Sequence, residues 1–110
     1  MIKGHRIEKK EEASRFLDRI KNYDKEVIYC TKHTFFRLSE KQRKVFKCEY
    51  LKRLLLEEEP ILVGIQYNNN YAVFYDYKEN RVIRIMLDIK PKEIQIVTFY
   101  IMDRNKIPRL

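Results

Sequence analysis

His33 and Arg37 stand four residues apart in a stretch rich in Lys and Arg, the spacing that puts two side chains on one helical face. An imidazole with an unperturbed pKa of about 6.5 exchanges protons at working pH. A guanidinium grips a phosphate through two parallel N–H donors. Together these are parts for cleaving a phosphodiester, with His33 protonating the leaving oxygen while Arg37 holds the phosphate. RNA brings its own nucleophile in the 2′-OH, so this chemistry needs no metal. The competing reading makes His33 a packing residue between helix and sheet, and Arg37 ordinary surface.

Other chemistries find little support. With only Gly4 and Gly64, the chain has no glycine-rich phosphate loop. Glu57-Glu58-Glu59 reads as a solvated helix end, and it sits where the helix dipole prefers cations. Cys30 and Cys48 show no zinc spacing, and a disulfide is unusual in a cytosolic protein, so the expectation is two small apolar fillers. His5 lies in the N-terminal stretch and takes no role. No metal and no cofactor are expected.

The formal charge of +8 is unevenly spread. Residues 1–55 carry sixteen Lys and Arg against eight Asp and Glu, whereas residues 56–110 carry eight of each. Between Lys32 and Arg53, eight basic residues face only Glu40 and Glu49. That excess marks a polyanion-binding face, or else a solvated helix surface. Eight tyrosines are also conspicuous, with Tyr67, Tyr71, Tyr75 and Tyr77 clustered and Tyr100 further on. Exposed on a sheet they could stack on unpaired bases; buried, they are strand formers with a polar handle.

These residues need a scaffold, and the period of the apolar positions predicts one. Ala13, Phe16, Leu17, Ile20 and Tyr23 define a helix over 11–23. Val27 to Cys30 favours a short strand. Thr31 then looks like an N-cap, with Phe35, Leu38, Gln42 and Val45 at helical spacing behind it. The alternative extends the strand to Phe36 and starts the helix at the Ser39-Glu40-Lys41-Gln42 capping box. A further helix through Cys48, Leu51 and Leu55 runs into the acidic triplet and stops at Pro60. After Pro60 the period changes from helical to alternating, and strands over 61–67, 71–77, 82–89 and 94–102 are separated by short turns. The fold class is therefore α+β, with N-terminal helices packed on a four- to five-stranded antiparallel meander.

The stretch Tyr29-Cys30-Thr31-Lys32-His33-Thr34-Phe35-Phe36-Arg37-Leu38, with Tyr50 to Pro60 and Ile96-Val97-Thr98-Phe99-Tyr100 behind it, resembles a family of small prokaryotic domains. That family is similar to the BrnT and RelE-type toxins, small basic ribonucleases neutralised by a protein antitoxin. The family usually carries a second Arg followed by Gly where this chain reads Glu40-Lys41-Gln42-Arg43. The resemblance spans roughly residues 27–104 of a single domain over 1–110, leaving an N-terminal helical segment at 1–26 and a basic tail at 105–110.

What the resemblance implies is a RelE/BrnT-like toxin of a toxin–antitoxin pair, a metal-independent mRNA endoribonuclease. By motif position the resemblance implies roles for His33 and Arg37, and more loosely for Arg84 and Arg104. The enzyme reading then makes His33, Arg37 and Tyr100 catalytic, with Lys32, Lys41, Arg43, Lys44, Arg84, Arg104 and Lys106 as RNA contacts. The alternative is a non-catalytic basic module that binds nucleic acid or a partner protein. Expected partners are RNA, with or without a ribosome, and an antitoxin; a homodimer is compatible. No apolar run is long enough for a bilayer, and the N-terminus leads into no apolar stretch, so the cytoplasm is the expected location. Abundant Lys, Ile and Glu without Trp suit a thermophile or an AT-rich genome.

Overall fold

The computed structural model describes residues 6–35 and 38–109. Among the described residues, besides two single 3-10 turns, nine α-helices and strands follow one another: β1 (Ile7–Glu11), α1 (Ala13–Ile20), β2 (Ile28–Cys30), α2 (Glu40–Val45), α3 (Cys48–Glu57), β3 (Leu62–Gln66), β4 (Tyr71–Tyr77), β5 (Arg81–Ile89) and β6 (Ile94–Asp103). The strands form one open sheet in the order β1-β3-β4-β5-β6-β2. Strands β3 to β6 make the expected antiparallel meander.

The sheet is larger than the sequence suggests and is mixed. β1 adds to the outer edge of β3, antiparallel, through a charged segment whose side chains are mostly exposed. Edge strands rich in Lys and Glu are a common guard against further pairing, which is also why this one escapes an alternation search. β2 pairs with β6 in parallel, so the sheet is not a pure meander.

Alternation on the meander holds closely. Tyr71, Val73, Tyr75 and Tyr77 of β4 and Ile83, Ile85 and Leu87 of β5 face the helices, with Phe16, Ile20, Leu51, Leu54 and Leu55 packed against that face. A bulge between Met86 and Leu87 and their β6 partners leaves Val97 as the extra residue. The parity of β6 therefore changes there, and Ile94, Ile96 and Phe99 all reach the helix side. The opposite face is closed as well: Ala72, Phe74 and Val82 are buried, with Ile7 of β1 and Ile107 of the tail packed against them.

The helical section corrects the preferred sequence reading. Thr31 is not an N-cap: its hydroxyl donates to the Val97 carbonyl at 3.0 Å, and Thr34 donates to the Ile96 carbonyl at 2.7 Å. Residues 31–35 form turns that dock on the β6 bulge, and Phe35 meets Phe99 edge-on with ring centres 5.7 Å apart. The helix begins instead at the capping box, with the Gln42 amide donating to Ser39 Oγ at 3.2 Å and the Ser39 amide to Gln42 Oε1 at 3.0 Å. Two reciprocal caps outweigh one hydroxyl that has a better acceptor on β6. Nor does the strand continue to Phe36, since β2 ends at Cys30. α1 stops at Ile20, three residues early, and Tyr23 reaches across to donate to the Lys90 carbonyl at 2.5 Å.

The cysteines also correct the expectation. Cys30 and Cys48 form a disulfide with Cα atoms 6.1 Å apart, tying the end of β2 to the start of α3. Spacing alone could not show that these two positions become neighbours.

Candidate nucleic-acid interface

The helices α2 and α3 pass one end of the sheet beside the hairpin joining β4 to β5, and a trough opens between them. One part, of about 440 Å³, is lined by Val45, Phe46, Tyr50, Asp76, Tyr77 and Lys78. It adjoins a second part of about 380 Å³, which shares Val45, Phe46, Tyr77 and Lys78 and adds Lys41 and Arg81 on its walls.

The floor is aromatic. Phe46 ends α2 and turns inward, nearly buried, with its ring centre 5.8 Å from Tyr50, 5.7 Å from Tyr77 and 5.6 Å from Phe99. Val45 beside it is 63% exposed, an apolar side chain left at the lip of the trough. The rim carries Lys41, Lys78 and Arg81, with Glu79 paired to Arg81 at 3.3 Å. Lys78 Nζ and the Arg81 guanidinium each lie 5.7 Å from the Tyr77 ring centre, while the Arg53 guanidinium, 5.6 Å from that of Tyr50, lines the neighbouring cavity. Burial, and then the neighbouring Tyr77, push the Tyr50 hydroxyl above its ordinary value, so it stays a neutral donor at working pH. Rings flanked by cations at a concave surface can stack an unpaired base while the cations meet the phosphates on either side.

The residues singled out by sequence scatter around this trough. Lys41 lines it; Lys44 is exposed on the same short helix, and Arg43 donates from Nε to the Phe35 carbonyl at 3.2 Å. Lys32 and His33 are exposed on the loop that docks at the β6 bulge, so His33 does not pack a helix on the sheet. Arg37 lies outside the described residues, as does His5. Arg104 is paired with Asp76, and Lys106 is exposed on the single turn that follows β6.

Arg84 differs most from its expected role as an exposed RNA contact, because it is wholly buried. Its guanidinium lies between two rings on the face away from the helices, 5.3 Å from Phe74 and 5.7 Å from Tyr100, and Nη2 donates to Gln66 Oε1 at 3.4 Å. Burial lowers its pKa, opposed by the neighbouring Tyr100. The sheet stands between this pair and Phe35, which anchors the His33 loop on the helix side. The structure therefore brings Arg84 and Tyr100 together but does not add His33 to them.

Lys78, Arg81 and Tyr50 are the functional candidates that the sequence reading does not single out, whereas Tyr77 is among its clustered tyrosines. The signal was present in the tyrosines of the central hairpin, next to cations at its turn. Among the described residues, no group of three or more His, Cys, Asp or Glu side chains is placed to hold a metal, and no helix is long and apolar enough to cross a membrane.

The architecture thus defines a small α+β domain with three helices and a six-stranded open sheet. The family model described as the MJ0788 family matches residues 14–87, about two thirds of the chain, and the protein belongs to that family. No curated protein and no solved structure matches it.

Proposed function

We propose that the protein is a binding module for single-stranded RNA, which lies across the trough between α2–α3 and the β4–β5 hairpin. The observation that carries this reading is the trough itself, with Tyr50 and Tyr77 in its floor and Lys78 and Arg81 against the Tyr77 ring. Lys41 and the exposed Lys44 extend the cationic rim along α2. Bases stack on the rings; phosphates meet the rim.

Fluorescence anisotropy of a labelled single-stranded oligonucleotide across a salt series tests it. Each phosphate neutralised contributes about −0.7 to the slope of log K against log salt for single strands. Engagement of the four cations Lys41, Lys44, Lys78 and Arg81 gives a slope of roughly −3. A Lys41→Ala/Lys78→Ala pair is expected to flatten the slope by about 1.4. Flat salt dependence, or no binding at low salt, would remove the reading.

A second reading, the toxin-type endoribonuclease with a RelE/BrnT-like arrangement and an antitoxin partner, draws support from His33. That side chain is exposed beside Lys32 on a loop pinned by Thr31 and Thr34. Under this reading His33→Ala lowers RNA cleavage by about 10²–10⁴ with affinity retained. Purified protein that cleaves no RNA, with or without ribosomes, leaves the binding module alone.

A further inference from the structure

Beyond the trough, a third cavity of about 400 Å³ lies under the C-terminal end of α3, with Tyr50, Arg53, Glu58, Glu59, Tyr75 and Asp76 in its walls. Tyr75 is only 1% exposed, yet its hydroxyl has no hydrogen-bond partner among the described residues. A buried hydroxyl without a partner costs about 1–3 kcal/mol, so such a group is the exception in a folded core. Burial, and then the charge of Glu58, push its pKa up, which keeps the phenol neutral and able both to donate and to accept.

The charges around it favour one sign. Glu58 and Glu59 offer carboxylate oxygens to the cavity, while Asp76 is already tied to Arg104. The Arg53 guanidinium is drawn over the Tyr50 ring. α3 ends here with no basic residue in its last turn, so its negative pole is not offset by its own side chains. Acceptors therefore outnumber donors, and the field is negative. A phosphate or carboxylate would be repelled, and a neutral apolar ligand would leave the hydroxyl unpaired.

We propose that this cavity binds a small organic cation carrying N–H donors, an alkylammonium or guanidinium group, with Tyr75 Oη and the Glu58 carboxylate as its acceptors. The volume admits a ligand of that size with room for water beside it. The site adjoins the trough, since Tyr50 and Asp76 line both. It does not rest on RNA binding and is tested without RNA.

Calorimetric titration of the whole chain with 1,4-diaminobutane and with methylguanidine is expected to show saturable binding. Tetramethylammonium has the charge but no N–H and should bind at least about tenfold more weakly, since charge-assisted hydrogen bonds carry the difference. Glu58→Gln is expected to weaken diamine binding about 10- to 100-fold and Tyr75→Phe about fivefold. Glu57→Gln, outside the cavity, should leave binding unchanged. Tyr75→Phe should also leave the ligand-free protein as stable as before, or more so, because it deletes an unpaired buried hydroxyl; that separates lost binding from lost folding. Absence of binding by both amines, equal binding of tetramethylammonium, or unchanged affinity in Glu58→Gln and Tyr75→Phe would overturn the proposal. Tighter binding of a capped lysine than of the diamine would overturn the small-molecule assignment in favour of a partner's side chain.

Discussion

Opening the Cys30–Cys48 bond should loosen a segment whose six Lys and Arg against one Glu give +5 of the chain's net charge of +8. The bond joins residues 18 apart, and the loop it closes holds Lys32, His33, Lys41, Arg43, Lys44 and Lys47. Closing a loop of that size removes entropy from the unfolded chain equivalent to about 3 kcal/mol at 25 °C. For a domain of this length, 1 kcal/mol shifts the melting temperature by about 4 °C, so reduction is expected to lower it by roughly 10–15 °C. α2 should feel the loss first, because it is six residues long and buries none of them. Its holds are the capping box, Phe46 beyond its end, and the constraint at Cys48. Calorimetry with and without reductant, with a thiol count to confirm two free cysteines, measures the first effect. Amide exchange over residues 39–46 measures the second. An unchanged melting temperature in fully reduced protein would refute the reasoning, since the loop would then be held by its packing alone.

Three further outcomes are expected. A Cβ at residue 64 would lie 2.6 Å from Ile7 Cγ2, so Gly64→Ala should destabilise by about 1–3 kcal/mol, with Ile7→Ala in the same chain restoring much of it; urea titration decides. Glu79 sits at φ 60° in the β4–β5 turn, and Glu79→Gly should raise stability by about 1 kcal/mol even though the exposed pair with Arg81 is lost; a lower urea midpoint would contradict this. Arg84→Ala should cost about 2–5 kcal/mol by emptying the space between Phe74 and Tyr100, with Arg84→Met closer to wild type; equal melting temperatures for the two variants would show that packing is not what Arg84 supplies.

The centre of this fold is legible in the sequence and its margins are not, for a physical reason. β4 and β5 sit in the middle of the sheet with both faces covered, so their nearly unbroken apolar runs mark them as strands in the sequence. β1 is an edge strand whose Lys and Glu side chains face water, so burial leaves no pattern there. β2 is three residues long, and its parallel register on β6 depends on the Thr31 and Thr34 hydroxyls finding carbonyls some sixty residues away. At the start of α2 the local signals conflicted, and the one satisfied within its own turn prevailed.

The same argument explains why the candidate site was only partly visible. The basic run between Lys32 and Arg53 reads as helix surface, which finds Lys41 and Lys44 but leaves the strand and hairpin residues beside them of unknown exposure. The rings and cations that complete the trough lie at the end of β4 and in the hairpin, about thirty positions further on. Arg84 shows the reverse error. Alternation correctly placed it opposite Ile83 and Ile85, but nothing in that pattern says whether the second face is open. Ile7 and Ile107, from the two ends of the chain, help close it, so a cation that reads as accessible is part of the core. Charge counted along a sequence overstates the binding surface by every cation the tertiary fold buries or pairs, as Arg84 and Arg104 show. What remains for RNA is the set that stays exposed beside aromatic rings, and only the crossing of α2 and α3 over the sheet end gathers that set.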